Sequence, residues 1–408
     1  MKIALISENS SEYGRRIAEG VAARARESSD HRIVWHNPET LSPHERFKGY
    51  DGIIARISND AMARRLLATR LPVVDVFCTK EYPGIIGVTP DQEAIGRLAA
   101  AHFIDKRYES FAFVGFRGVA FSDARRKSFE AELARSNISA SAHEVRMTKD
   151  IEAFFNADLS PIAGLRHLQD MLASLPRPLA VFAANDLLAL NVLKLAIEAG
   201  IRVPNEMAIL GVDDDKLVSA LAEVPLSSID PNAFGVGYAA ARILDAVVKK
   251  PAKRKEHKVW RVAPGAVSER VSTQRYAVSP SWLAEILEYI DTNIGRPLST
   301  ADLVKFSARS HVTIGKAFNA KFGVSPLRYI IERKMKYAKK LIESGEHMVK
   351  EVASLSGYTS PARFSSTYAA FWGSPPTALF PKFGDNRGNR GQQDLIATVD
   401  CHSRFSLS

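Results

Sequence analysis

Short apolar runs alternate with amphipathic helical stretches through the first 250 residues, and this alternation constrains the fold more than any other feature. IALIS (3–7), HRIVW (31–35), GIIARI (52–57), VVDVF (73–77), IIGV (85–88), FAFVGF (111–116), LAVFAA (179–184) and MAILGVD (207–213) read as strands. Helical spacing runs between them, over about 13–26, 60–69, 91–105, 123–136, 161–174, 186–199 and 233–249. Apolar strands separated by helices imply parallel sheets covered on both faces. So many units exceed one compact sheet, which predicts two lobes with a ligand cleft at the carboxyl ends of the strands.

Polar residues stand where such a cleft needs them. Just after strands come Ser7 to Ser10, Arg56 with Ser58 and Asn59, Asp75, Ser122 to Arg125, Asn185 with Asp186, and Asp213 to Asp215. A carboxylate at a strand end suits a polyol, whose hydroxyls need acceptors. Asn185-Asp186 reads equally as a helix N-cap. Asp213 to Asp215 reads equally as a solvated turn or, in an enzyme, a magnesium site. Phe77 and Phe116 are placed to stack on an apolar ligand face, or to be core.

A different pattern occupies the last hundred residues. Ser310, Ile314, Phe318, Phe322, Gly323, Ser325 and Pro326 recur fifty residues later as Ser360, Phe364, Tyr368, Trp372, Gly373, Pro375 and Pro376. Apolar residues four apart bury one helix face, and Gly then Pro ends each helix. Each copy follows a short helix: the one capped by Ser299 with Leu303, Val304 and Phe306, and Val349–Ser356. Two helix-turn-helix units result, each offering its second helix to a major groove. The Gly and Pro stops break any heptad, so a coiled coil is disfavoured. The helix from Pro326 to about Ser344 spans roughly 28 Å. Adjacent major grooves on one DNA face lie about 34 Å apart, so the spacing suits two successive grooves.

Charge agrees with a nucleic-acid module. Residues 249–261 carry seven Lys/Arg and one acid, and residues 280–384 carry fourteen against eight. These stretches hold +12, whereas the whole chain is +10, so the remainder is slightly acidic. A basic end on a near-neutral body suits DNA, although the run at 249–261 also reads as a solvated loop. No apolar run approaches the roughly eighteen residues of a membrane span, and the N-terminus turns polar too soon for a signal peptide. A cytoplasmic protein is expected. Cys78 and Cys401 suggest neither a disulfide nor a metal site, and no cofactor is expected.

Two resemblances sharpen this reading. The segment 181–229 resembles the C-terminal lobe of the LacI/GalR-type sugar effector domain, itself similar to periplasmic sugar-binding proteins. The matching order is an apolar strand, Asn185-Asp186, Ala199-Gly200, Val203-Pro204, Gly211 with Asp213-Asp214, and Pro225 to Ile229. GFRGVAFSDARRKSFEAEL (115–133) resembles that family's cleft-lining stretch, with Ser128 where the family usually has Gly. The match covers about 1–275, but no helix-turn-helix precedes the first strand. Strand-end position and the resemblance together point to a sugar site drawn from Ser10, Asp75, Phe116, Ser122, Arg125, Asn185, Asp186, Asp213 and Asp214, of which the resemblance implies Ser122, Arg125, Asp186, and Asp213 or Asp214.

GYTSPARFSSTYAAFWGSPP (357–376) and SHVTIGKAFNAKFGVSPLRYI (310–330) are similar to the two units of AraC/XylS transcription regulators. That match covers about 280–382. Carried over, His311, Val312, Gly315 and Lys316, and Ser360, Pro361, Ala362, Arg363 and Ser366 are the exposed recognition positions. Lys316 and Arg363 suit base edges, because cations donate to guanine acceptors. Ser360 suits phosphate. Lys305, Arg309 and Lys321 are backbone contacts or merely solvated. Gly315 replaces a longer polar residue, and Leu379-Phe380 replaces the usual aromatic-Arg ending.

The expected architecture is a two-lobed α/β periplasmic-binding-protein-like effector domain (1–270), a linker (271–280), an all-α AraC-type domain with two helix-turn-helix units (281–384), and a disordered tail (385–408). The expected function is a sugar-responsive, sequence-specific transcription regulator, an activator by family analogy. The resemblance favours a pentose effector, and further implies a homodimer, an operator duplex and RNA polymerase as partners. Two alternatives stay open. One is a constitutive DNA binder whose effector domain is ligand-blind. The other is an enzyme fused to a DNA reader, although no P-loop or nucleophile-elbow pattern is present and Gly235-Val-Gly237 is a poor phosphate motif.

Overall fold

The computed structural model describes residues 1–27, 31–38, 40–42, 47–145, 166–249, 259–343, 345 and 347–379. The centre of the basic run (250–258), the start of the helix expected at 161, Phe380 and the tail lie outside them. The described chain forms two compact units, Met1–Gln274 and a second from Arg275 onward. Residues 271–274, expected as linker, pack with the first unit: Ser272 and Thr273 are fully buried there. Tyr276 already belongs to the core of the second.

The first unit holds two six-stranded sheets. One comprises β1 (Lys2–Ile6), β2 (Arg32–His36), β3 (Gly52–Ala55), β4 (Val73–Asp75), β5 (Ile86–Pro90) and β11 (Val259–Val262), in the order β11-β5-β4-β3-β1-β2 and parallel throughout. The other comprises β6 (Ser110–Phe116), β7 (Ala140–Val145), β8 (Leu179–Ala183), β9 (Met207–Val212), β10 (Ser227–Ile229) and β12 (Val267–Ser268), in the order β12-β10-β9-β8-β6-β7. Only β12 runs antiparallel. Both sheets therefore repeat one doubly wound order. Its switch point lies between β1 and β3 in one sheet and between β6 and β8 in the other, where ligands bind past the strand ends.

Helices cover the sheets because the strands are apolar on both faces: every residue of β3, β8 and β9 is buried. Helix α1 (Glu12–Arg26) packs on α8 (Ala233–Lys249), its Ile17 and Val21 joining Val236 and Ala240 in one cluster. Helix α3 (Gln92–Asp105) packs on α4 (Ala120–Ala134). A Cβ on Gly96 would lie 2.1 Å from the Ser128 hydroxyl and 2.4 Å from the Arg125 carbonyl. The small residue that lets these helices meet thus sits on α3, which leaves room for Ser128. The remaining α-helices among the described residues of the unit are α2 (Asp60–Ala68), α5 (Arg166–Ser174), α6 (Asp186–Glu198) and α7 (Lys216–Leu221). The chain crosses between the sheets at 90–92, 229–233 and 262–267.

The second unit contains α9 (Ser281–Thr292), α10 (Thr300–Ser307), α11 (His311–Phe322), α12 (Pro326–Glu343), α13 (Val349–Leu355) and α14 (Pro361–Trp372). Ser299 and Asp302 form a reciprocal capping box at the start of α10. Both α11 and α14 end on left-handed glycines, Gly323 and Gly373, as the repeat requires. Leu303, Ile314 and Phe318 share one core with Ile286, Leu287 and Ile290 of α9 and with Tyr329 and Ile330 of α12. Val352, Phe364 and Tyr368 share another with Met335, Ala338 and Ile342 from the later turns of α12. Helix α12 therefore bridges both helix-turn-helix units. Its eighteen residues span about 27 Å.

Candidate effector cavity and nucleic-acid interface

A cavity that opens to solvent lies at the carboxyl ends of both sheets. Glu8 follows β1, Arg56 follows β3 and Phe77 follows β4, whereas Phe121, Asn185 and Asp213 follow β6, β8 and β9. The first turns of α1, α3 and α6 add Glu12 and Tyr13, Gln92, and Asp186 with Leu187; Asp215 and Val218 complete the far side.

The first lobe presents a guanidinium held from two directions. Arg56 pairs with the Glu8 carboxylate at 3.1 Å and stacks 3.8 Å from the centre of the Phe77 ring. Ser11 donates to the other Glu8 oxygen at 2.8 Å. The Tyr13 hydroxyl donates to the Val76 carbonyl at 3.1 Å, and burial pushes this phenol far above its ordinary range.

The second lobe mirrors this arrangement. Arg125 donates from Nε to Gln92 Oε1 at 2.8 Å and from an Nη to the Ala184 carbonyl, and stands 4.9 Å from the Phe121 ring centre. Burial lowers its pKa, opposed by Asp213, Tyr13 and Asp186. Asp186 accepts the Ser228 hydroxyl at 2.7 Å and the Asp215 backbone N–H at 2.8 Å. Burial holds its carboxyl well above the ordinary range, and the neighbouring Asp213 acts in the same direction. Burial likewise pushes Asp213 up to about 7, against the pull of Arg125. The backbone at Asp213 and Asp214 has φ of 122° and 49°, in the region that disfavours side chains. Such strain is held only where surrounding contacts over-determine it. Gly211 on β9 makes room for the carboxylate, since a Cβ there would lie 2.0 Å from Asp186 Oδ1.

Of the residues expected to bind sugar, the structure brings Arg125, Asn185, Asp186 and Asp213 to this cavity. Asn185 is also the N-cap of α6, its Oδ1 accepting from the Leu188 N–H. The other five are not among its lining residues, and the structure gives each another place. Ser10 is exposed, and its carbonyl accepts from Arg15. Asp75 is buried and accepts the backbone N–H groups of Ile57, Phe77 and Cys78. Ser122 accepts the Phe116 N–H. Phe116 is core, edge-on to Phe121, which takes the cavity position instead. Asp214 pairs with Arg270 at 2.6 Å and Asp215 caps α7. Among the described residues no group of His, Cys, Asp or Glu is disposed to hold a metal ion. Tyr13, Gln92 and Phe121 were missed; the findable signal was that each lies in the first turn of the helix that follows a strand.

In the second unit His311, Val312 and Lys316 are exposed on α11, and Ala362, Arg363 and Ser366 on α14. The intervening Ile314, Phe318, Phe364 and Tyr368 are fully buried. Each recognition helix therefore shows an exposed stripe above an anchored apolar face. Ser360 caps α14 by accepting the Arg363 N–H at 3.3 Å, which engages one side of its hydroxyl. The Ser366 hydroxyl donates back to the Arg363 carbonyl at 3.0 Å. Lys334 of α12 is buried. Its ammonium donates to the carbonyls of Arg296, Ser356 and Gly357 at 2.7, 2.9 and 3.2 Å, tying the turn of the second unit to the loop before the first.

Residues 100–273 match the periplasmic binding protein-like domain family, and residues 303–381 a helix-turn-helix domain family. The chain thus has the architecture of a two-domain transcription regulator, a binding-protein-like domain followed by an AraC-type DNA-binding domain. It is similar along nearly its whole length to the xylose operon regulatory protein of Escherichia coli K12, 23% identical over 382 residues, covering 92% of this chain and 95% of that one. The protein of the same description from Haemophilus influenzae is also 23% identical, over 90% and 95%. Among solved structures, that of the xylose-binding transcription activator xylR superposes with TM-score 0.56 at 23% identity, covering 93% of this chain and 97% of that one. A LacI family regulator from Enterococcus faecium with bound ribose gives 0.51 at 19% identity, over 67% and 98%.

Proposed function

We propose that this protein is a sugar-responsive, sequence-specific DNA-binding regulator that activates a carbohydrate catabolic operon, with a small sugar, a pentose such as xylose, as effector. The observation that carries this reading is the cavity itself. It pairs a guanidinium and an aromatic ring from one lobe, Arg56 and Phe77, with the same pair from the other, Arg125 and Phe121, and adds the carboxyls of Asp186 and Asp213. Sugar hydroxyls both donate and accept, so carboxylates and guanidiniums satisfy them together. The C–H faces of a sugar ring match the aromatic surfaces. The similarity to xylose operon regulatory proteins supports xylose as the first sugar to test.

The ligand acts through differential affinity: it favours whichever lobe or subunit arrangement it binds better, by that difference alone. The favoured arrangement seats α11 and α14 in successive major grooves of direct-repeat half-sites, with Lys316 and Arg363 on base edges and His311, Val312, Ala362 and Ser366 beside them. A homodimer in the cytoplasm contacting RNA polymerase completes the reading. No helix of the described residues is long and apolar enough to cross a membrane. The chain acts by binding, not by turning its ligand over. Thermal unfolding against a panel of pentoses and hexoses tests this. One sugar raises the melting temperature and is recovered unchanged. No shift with any sugar favours a ligand-blind DNA binder, and turnover of a sugar favours an enzyme.

A further inference from the structure

Three polar links from the effector cavity converge on residues 269–274, the last of the first unit before the chain continues at Arg275. The first follows α3. Gln92 opens that helix at the cavity and holds Arg125, and Lys106 follows its last turn. Lys106 is only 2% exposed; it pairs with Glu269 at 2.6 Å and donates to the Gln274 carbonyl at 3.4 Å. One turn earlier, His102 Nε2 lies 2.9 Å from the Thr273 hydroxyl.

The second link follows β10. Ser228 donates to Asp186 in the cavity wall, and the adjacent Ser227 accepts from the Thr273 hydroxyl at 2.7 Å. Ser227 also bonds Arg270 through its hydroxyl and Ser272 through its N–H, and Ser272 donates to the Ile209 carbonyl. The third link is Arg270, which reaches Asp214 beside the cavity residue Asp213. Ser227, Ser228, Ser272 and Thr273 are all at most 1% exposed. Buried polar groups cannot exchange partners for water cheaply, so this stretch must follow α3 and β10 together. Simple anchoring of a domain end would need one of these links; here both elements whose cavity ends hold Arg125 and Asp186 grip the same six residues.

We propose that residues 269–274 are the output junction of the effector domain, with Thr273 and Lys106 as positioning residues that pass ligand engagement of Arg125 and Asp186 to the start of the DNA-binding unit. This rests on the sugar-response reading. Thr273 is the meeting point, since its single hydroxyl bonds both His102 of α3 and Ser227 of β10.

The test uses the full chain, D-xylose as first probe followed by the sugar panel, and a duplex selected by the wild-type protein from a random pool. Sugar affinity is measured by calorimetry, and duplex affinity with and without saturating sugar. Thr273→Val keeps the shape and removes the hydroxyl. It is expected to bind sugar within about threefold of wild type and to bind the sugar-free duplex normally, yet to lose most of the sugar-induced change in duplex affinity. Glu269→Gln weakens the Lys106 pair and is expected to reduce the change in part. Thr273→Ser keeps the hydroxyl and is expected to restore it. A full response in Thr273→Val overturns the proposal, as does equal loss in Thr273→Ser or loss of sugar affinity in step with the response. If Thr273→Val does not fold, an unaltered response in Glu269→Gln overturns it. A wild-type protein that responds to no sugar instead refutes the functional reading beneath it.

Discussion

Removing the Arg363 side chain separates base reading from backbone attachment. Arg363 occupies the first turn of α14, is exposed, and its guanidinium has no hydrogen bond or ion pair among the described residues. Its structural contributions come from the backbone: the N–H bonds the Ser360 hydroxyl, and the carbonyl accepts from Ser366 and Thr367. Arg363→Ala keeps all three, and alanine is at least as good a helix former. Stability should therefore move by less than about 0.5 kcal/mol. If the guanidinium reads guanine through two hydrogen bonds, its loss removes about 1–3 kcal/mol of discrimination, roughly 5- to 150-fold in specific affinity. Fluorescence anisotropy on the selected duplex and a scrambled one, over a series of salt concentrations, measures both terms. The account predicts a large loss on the selected duplex and a small one on the scrambled duplex. Equal losses, with the salt slope reduced by about one, would show that Arg363 touches only phosphate and refute the reasoning.

Other perturbations follow from single contacts. A Cβ on Gly315 meets nothing within 4 Å, so Gly315→Ala should stabilise the second unit by about 1 kcal/mol, seen as a rise of a few degrees in its melting transition; destabilisation would mean the site is occupied. Lys334→Met strands three carbonyls and should destabilise the second unit by about 2 kcal/mol or more while leaving sugar affinity unchanged, as calorimetry of the two transitions would report. The Asp213 carboxyl is raised from 3.8 to about 7 in the folded protein, which therefore holds a proton that the unfolded chain releases. Its stabilising contribution is complete below pH 3.8 and lost as pH rises through about 7, and Asp213→Asn should remove that slope from the melting curves. The carboxylate is the stronger acceptor of sugar hydroxyls when ionised, so sugar affinity should climb through pH 7 in the wild type and climb less in the variant.

Strand ends were legible because apolar runs of five or six residues stop at a polar residue, and that located Arg56, Phe77, Arg125, Asp186 and Asp213. It could not separate a carboxylate that faces ligand from one that faces backbone. Asp75 ends a strand and Asp186 follows one, yet Asp75 spends its oxygens on three N–H groups. Strands β10 and β12 have three and two residues, too few for any periodicity, and β11 is fixed by pairing with β5, some 170 positions earlier in the chain. Strand β7 reads ASAHEV, an edge strand too polar to stand out. In the second unit the fifty-residue repeat carried α11, α14 and the short helix before each, because the same apolar spacing and glycine stop recur. Lys334 gave no signal, since a lysine in a basic helix reads as surface.

The central claim is that sugar in the cavity changes how the second unit holds DNA, and Asp186 tests it most directly. Affinity for the selected duplex should be measured against rising D-xylose, then the rest of the panel, for the wild type and Asp186→Ala. The account predicts a saturable change in the wild type that Asp186→Ala abolishes, with sugar-free duplex affinity preserved. An unchanged response in Asp186→Ala would contradict it and leave Asp186 as the partner of Ser228 and the Asp215 backbone alone.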